Sequence, residues 1–183
     1  RPYLEKMDNI ITRNEYSYNL VCQMTEKKKV YLWNWYCDDI RQNMKQKTSD
    51  SILCICNHHD IHNAEILLDL WKVEWPQLVL YYDNAKNTLT SEKENILVIN
   101  ERLLEPDYKT MINYYLLQIY FVSESEWNPM VYEAYTCENN VVFIGNEYSN
   151  YYKNHNNFIF HGFKKEKHKK KYGNRYVINK ELF

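Results

Sequence analysis

The sequence predicts an α/β fold in which a parallel sheet is covered by helices on both faces. Short apolar segments alternate along the chain with segments of helical periodicity. The apolar segments are continuous runs of branched and aromatic residues, which is typical of strands buried on both sides. Proline marks the boundaries of helical segments, at the end of one (Pro76) and at the start of two others (Pro106 and Pro129).

The first half of the predicted sheet follows a segment without comparable alternation, residues 1–28. Apolar runs predict strands at residues 29–35, 51–56, 77–82 and 96–99. Between the second and third of these, residues 63–71 place Ile66, Leu67, Leu70 and Trp71 on one helical face. We therefore expect a strand–helix–strand unit here.

The second half repeats this order. A helix is predicted at residues 107–117, a strand at 119–122, a helix at 130–137 with Asn128 as N-cap, and a strand at 140–144. Strands that alternate with helices in this way indicate a Rossmann-like parallel sheet. A ligand of such a sheet lies beyond the carboxyl ends of its strands.

Composition narrows the classes of function. The 183 residues suit one domain, or one and a half small ones, and 45% apolar content is enough for a packed core. The 23 Lys and Arg nearly balance the 24 Asp and Glu, so the chain has no overall field to attract nucleic acid or an anionic membrane. Only three glycines are present, which excludes glycine-rich phosphate loops.

The cysteines and the apolar runs indicate a cytoplasmic, soluble protein. Five cysteines at irregular spacing favour reduced thiols, and Cys54 and Cys56 are expected to be small core residues. No apolar run reaches the roughly 18 to 20 residues of a transmembrane helix. The basic run at residues 164–171 is expected to be a solvated surface segment.

The most informative segment for function is residues 119–146. A predicted strand is followed by Glu124 and Glu126, then by a helix that begins at Asn128–Pro129 and contains Glu133. A helix N-terminus suits a phosphate, and nearby carboxylates accept hydrogen bonds from sugar hydroxyls. The alternative is that all three glutamates are solvated surface residues.

This segment resembles the donor-binding signature of GT-B-fold glycosyltransferases of the family-4 kind. Such a signature has a strand, a turn, a glutamate, a short loop, a helix with Glu-Ala and a Val-Val strand. The matching residues here are Phe121–Val122, Ser125–Glu126, Val131, Glu133–Ala134 and Val141–Val142. The upstream elements fit the carboxyl-terminal domain of that fold in order, so the resemblance covers residues 51–146.

The resemblance implies a nucleotide-sugar donor and an acceptor that is a glycan, protein or lipid. Glu133 would accept hydrogen bonds from the ribose hydroxyls, and Glu126 would contact the transferred sugar. Main-chain N–H groups around Asn128, Met130 and Val131 would face the diphosphate. Transfer in this family needs no metal or cofactor. Residues 51–183 would then form the donor-binding domain, with a basic C-terminal segment, and residues 1–50 would be a remnant or the end of an acceptor-side domain.

The sequence departs from the family pattern in two places. Six residues separate Glu126 from Glu133 instead of seven, and Asn57-His58-His59-Asp60 stands where the family has the Arg and Lys that grip the diphosphate. We expect a protonated His58 or His59, or else Arg102, to take that role.

Two other functions remain open on the sequence. One is a noncatalytic α/β module for binding or assembly, which the replaced diphosphate grip favours. The other is a metal-dependent hydrolase using His58, His59 and His62. Adjacent histidines point apart on an extended chain, so no metal site is expected.

Overall fold

A computed structural model of the chain contains two compact units, residues Arg1–Asp38 and Asp39–Phe183. The structure describes residues 6–12, 15–25, 29–32, 40–42, 47–57, 60–83, 88–122, 129–145, 157–160, 163–167, 174–178 and 181.

The first unit is a small strand–helix–strand motif. It consists of β1 (Asn9–Thr12), α1 (Glu15–Met24) and β2 (Lys29–Leu32). The two strands pair in parallel, with Ile10 opposite Val30. The Thr12 hydroxyl donates a 3.2 Å hydrogen bond to the carbonyl of Tyr31, which ties the end of β1 to β2. The alternation that residues 1–28 lack in sequence is therefore present in structure as one strand and one helix.

The second unit contains the other elements. These are β3 (Thr48–Cys56), α2 (Ile61–Leu70), β4 (Gln77–Tyr82), β5 (Ile96–Ile99), α3 (Glu105–Tyr114), β6 (Tyr115–Val122), α4 (Pro129–Thr136), β7 (Asn140–Gly145), β8 (Asn157–Phe160), β9 (Phe163–Lys167) and β10 (Asn174–Ile178). No helix in the described part is long and apolar enough to cross a membrane.

The predicted helix at residues 107–117 was wrong at its end. The helix stops at Tyr114, and β6 starts at the next residue. Leu117 pairs with Ile52 of β3 on one side and with Asn140 of β7 on the other. Two neighbouring strands thus stabilise the extended conformation of an apolar segment that would also suit a helix.

The main sheet has six strands in the order β5-β4-β3-β6-β7-β8. Every neighbouring pair is parallel. Along the chain the sheet grows outward from β3 to β5, returns to the other side of β3 at β6, and then grows to β8. The structure confirms the predicted Rossmann-like parallel sheet, and this reversal has the doubly wound order. β9 and β10 pair separately, in antiparallel orientation.

Helices pack on both faces of the sheet, as predicted. Alternate residues of β3 show this, because Leu53 and Ile55 belong to the apolar cluster formed with α3 and α4. Cys54 and Cys56 belong to the opposite cluster, which contains the buried face of α2. The predicted core position of both cysteines is confirmed, since their side chains are at most 4% exposed.

The described part of the connection from β4 to β5, residues 88–95, packs along α2 and ends in a turn at residues 94–95. The Asn100 side chain accepts a hydrogen bond from Leu89 N (2.9 Å) and donates one to Leu89 O (2.8 Å). At the other end, the Lys93 ammonium donates to three carbonyls at the C-terminus of α2, those of Leu68, Asp69 and Trp71. Between this segment and α2 lies an open groove of about 490 Å³.

Candidate functional site

The carboxyl ends of the parallel strands form one edge of the sheet. β3 and β6 lie side by side in its centre, with Ile55 opposite Tyr120. The chain leaves β3 towards α2 and leaves β6 towards α4, and these helices lie on opposite faces. In doubly wound sheets, ligands bind at the point where the connections from two adjacent strands go to opposite faces.

Two charged side chains lie at this edge beside the ends of β4 and β5. Asp83 follows β4 directly, and Arg102 follows β5. Arg102 Nε is 4.0 Å from Asp83 Oδ2, and the two side chains are 86% and 48% exposed. An ion pair this long and this exposed contributes little stability. Both charged groups can therefore exchange their mutual contact for one with a ligand. The backbone N–H of Leu103 donates a 3.3 Å hydrogen bond to the hydroxyl of Tyr81, which fixes this corner to β4.

Glu133 lies on the same edge, between α3 and α4. Both helices begin at the carboxyl edge, with Tyr108 in the first turn of α3 and Glu133 in the second turn of α4. The Tyr108 hydroxyl donates a 2.8 Å hydrogen bond to Glu133 Oε2. Among the described residues, Oε1 of Glu133 has no hydrogen-bond partner. A half-buried carboxylate therefore presents one unused acceptor atom.

Burial and hydrogen bonding act in opposite directions on this carboxylate. Burial raises the pKa of Glu133, whereas the hydrogen bond from Tyr108 and the positive charge of Lys109 lower it. The net shift is upward. The site thus contains a carboxylate that takes up a proton at a higher pH than a solvated glutamate does.

A buried hydrogen-bond network holds the start of α4 against the sheet. The Tyr120 hydroxyl of β6 lies 2.6 Å from Gln118 Oε1 and 3.1 Å from the carbonyl oxygen of Met130. Gln118 Nε2 in turn donates to the carbonyl of Ile112, 2.8 Å away. The side chain of Val131 is fully buried in the same cluster. The first turn of α4 is therefore fixed in position, with its N–H groups directed towards the carboxyl edge.

No family model matches this chain, and no curated protein or solved structure matches it significantly.

The described residues include half of the residues predicted for donor binding. Met130, Val131 and Glu133 come together on the first two turns of α4, and Arg102 lies at the same edge beyond β5. The other predicted residues, His58, His59, Glu126 and Asn128, lie outside the described residues. They occupy the chain segments that follow β3 and β6.

Sequence reasoning missed Tyr108, Tyr81 and Asp83. Tyr108 contacts Glu133 across 25 positions of sequence, and no local pattern marks such a pair. The available signal was positional, because Asp83 directly follows a well-predicted strand and Tyr108 lies two residues after a helix-starting proline. Polar residues at those positions fall at the carboxyl edge of any parallel sheet.

The described residues contain no group of three His, Cys, Asp or Glu side chains that could hold a metal ion. Of the predicted histidine cluster, His62 is described. It lies on α2, with Nδ1 3.4 Å from Oε2 of Glu65 and both side chains exposed.

Proposed function

We propose that residues 39–183 form the donor-binding domain of a glycosyltransferase that transfers a sugar from a nucleotide-sugar to a glycan, protein or lipid acceptor. The observation that carries this proposal is the half-buried carboxylate of Glu133, with Oε1 unused, at the carboxyl edge of a doubly wound sheet. The available oxygen of such a carboxylate accepts hydrogen bonds from the vicinal hydroxyls of a ribose.

The position of the diphosphate follows from the helix beside that carboxylate. α4 begins at the carboxyl edge, one turn before Glu133. The N-terminus of a helix carries a partial positive charge and directs N–H groups outward, so it suits a phosphate group. A ribose at Glu133 and a diphosphate at Met130 and Val131 are neighbouring positions on one helix. Glu126 would contact the transferred sugar, as the resemblance implies.

The chemistry proposed for the site is positional and electrostatic. The donor is held so that its sugar faces an acceptor hydroxyl, and the leaving diphosphate is stabilised by helix N–H groups and cationic side chains. Arg102 has an exposed guanidinium for this purpose. His58 and His59 are the other cations proposed, and each needs a bound proton to serve.

Isothermal titration calorimetry with nucleoside diphosphates and their sugars tests this proposal. Glu133→Gln should weaken binding by about 1 to 3 kcal/mol, because a charged acceptor is replaced by a neutral amide. Glu138→Gln is the matched control, since Glu138 is an exposed residue just past the other end of α4. Equal affinities for Glu133→Gln and the wild type would remove Glu133 from the site.

Metal dependence and turnover separate the two alternatives. Nucleotide binding should be unchanged by a chelator, whereas a metal-dependent hydrolase would lose its activity. Binding without any transfer of sugar to a panel of acceptors would favour the noncatalytic module.

If His58 or His59 grips the diphosphate, affinity should fall as the pH rises above about 6.5, and His58→Ala or His59→Ala should abolish that fall.

A further inference from the structure

Two side chains from different helices meet at the carboxyl edge of the sheet. The hydroxyl of Tyr108 in α3 donates to Oε2 of Glu133 in α4, with 2.8 Å between the oxygens. Both side chains are half-buried. This contact lies one turn from the proposed diphosphate position, so it bears directly on a ligand bound there.

Tyr108 is itself held in place by its surroundings. Its backbone N–H donates to the carbonyl of Leu104 at the start of α3, 2.9 Å away. Its ring packs against that of Tyr81, with 6.0 Å between ring centroids. The Tyr81 hydroxyl accepts the hydrogen bond from Leu103 N–H. The phenol therefore has a fixed orientation before it contacts Glu133.

The Tyr108 hydroxyl acts as a donor at every ordinary pH. Burial, followed by the negative charge of Glu133, raises the pKa of this phenol far above its usual value. Because the phenol keeps its proton, Oε2 of Glu133 is occupied and the plane of the carboxylate is fixed. Oε1 is then the oxygen left for a ligand.

We propose that Tyr108 is a positioning residue: it holds the Glu133 carboxylate so that Oε1 accepts a hydrogen bond from a ligand hydroxyl, and protonation of Glu133 releases the ligand. The inference rests on the proposed function, because the hydroxyl in question is that of the donor's ribose. A protonated carboxyl is a weaker acceptor than a carboxylate, so the bound state is favoured by the ionised form.

The groups that face Glu133 set the direction of the pH effect. Tyr108 and Lys109 face it from α3, and Tyr120 faces it from β6. Both tyrosines are neutral, and Lys109 also forms a 2.6 Å ion pair with Glu105. Since burial raises the pKa of Glu133, affinity is present above that pKa and falls as the pH decreases through it. Any effect of His58 or His59 lies on the alkaline side of the profile.

Replacing Tyr108 by Phe keeps the ring and removes the hydrogen bond. That bond stabilises the ionised carboxylate, so its loss should move the acid midpoint of binding to higher pH. We also expect the affinity at pH 7.5 to fall about tenfold, because the carboxylate loses the charge-assisted hydrogen bond that orients it. Tyr114→Phe is the matched control, because Tyr114 is an exposed tyrosine at the other end of α3.

The experiment is calorimetry with UDP, GDP and ADP between pH 4.5 and 8 on the wild type, Tyr108→Phe, Tyr114→Phe and Glu133→Gln. In parallel, the side-chain ¹³C signal of Glu133 is titrated without ligand. The inference predicts a higher acid midpoint in both measurements for Tyr108→Phe, a wild-type profile for Tyr114→Phe and no acid limb for Glu133→Gln. Circular dichroism spectra show whether each variant is folded.

The outcomes separate this inference from the proposal beneath it. If the wild type binds a nucleotide and Tyr108→Phe matches Tyr114→Phe in affinity and in both midpoints, the positioning role is overturned while the proposed function stands. If the wild type binds no nucleotide or nucleotide-sugar, the proposed function is overturned, and the inference with it.

Discussion

At the scale of single residues, burial governs the reactivity of the thiols in the second unit. Cys54, Cys56 and Cys137 are thiols that form no disulfide, and they are at most 4% exposed. Burial raises the pKa of Cys54 and Cys56, and the neighbouring charge of Asp60 raises both further. The thiols of Cys54 and Cys56 are therefore neutral as well as inaccessible, whereas the thiolate is the reactive form.

We predict that a thiol reagent at pH 8 modifies Cys22, which is exposed, about a thousandfold faster than these three cysteines. Mass spectrometry of peptides at successive times gives the rate at each residue. Addition of urea should bring the rates together, because labelling of the buried thiols requires the sheet to open. Rapid labelling of Cys54 in the native protein would contradict the packing described for β3.

The same scale shows what the sequence can and cannot indicate about the site. Glu133 was predicted because Glu-Ala follows a helix-starting proline and precedes a Val-Val strand. Its contact with Tyr108 was not, since two helices that are separate in sequence must pack before the residues meet. Arg102 was predicted from its place just after the strand at residues 96–99. The same reasoning applies to Asp83, which follows the strand at residues 77–82 and lies beside Arg102 in the structure.

At the scale of elements, the end of α4 contains an unusual backbone conformation. Glu138 has φ of 58°, in the left-handed region. The next residue, Asn139, donates its N–H back to the carbonyl of Ala134, 3.0 Å away. This is the hydrogen bond that closes a helix through a left-handed residue, a position that favours glycine. A side chain with a Cβ raises the energy of that conformation.

Glu138→Gly should therefore stabilise the protein by about 0.5 to 1 kcal/mol, measured by urea denaturation. Glu138→Ala is the control, because it removes the same carboxylate near Lys47 but keeps the Cβ. The difference between the two variants isolates the backbone effect. A glycine variant no more stable than the alanine variant would show that the conformation costs nothing here.

Element boundaries were predictable where turn residues flank an apolar run. The strands at residues 77–82 and 96–99 were predicted with the bounds of β4 and β5. The segment from Tyr115 to Leu117 was misassigned because its apolar residues suit a helix and a strand equally, and pairing with β3 and β7 decides between them. In the first unit β1 and α1 were missed, whereas β2 lies within the strand predicted at residues 29–35.

At the scale of the whole molecule, the described residues that form the two apolar clusters of the main sheet all belong to the second unit. The earliest residue in either cluster is Ile40. A sheet with helices on both faces and its own core has what a domain needs to fold alone. The predicted parallel sheet is confirmed, whereas the order of its strands depends on pairing that no local pattern contains.

We predict that residues 39–183 without the first unit keep a cooperative thermal transition. Far-UV circular dichroism should place its midpoint within about 4 °C of that of the full chain, which corresponds to a loss of less than about 1 kcal/mol. The matched comparison is the full chain carrying Ile112→Ala, which removes a fully buried side chain of the core and should lower the midpoint. A broad, noncooperative transition in residues 39–183 would show that the second unit needs the first.

The reversal of strand order at β3 also bears on synthesis of the chain. β3, β4 and β5 are complete once Ile99 has been made. The edge of β3 that pairs with β6 in the finished sheet has no neighbour until Tyr115–Val122 has been made. During that interval Leu53, Cys54 and Ile55, buried in the finished protein, belong to an unpaired strand edge. Unpaired apolar edges recruit other chains, so aggregation of the nascent protein is favoured until β6 arrives.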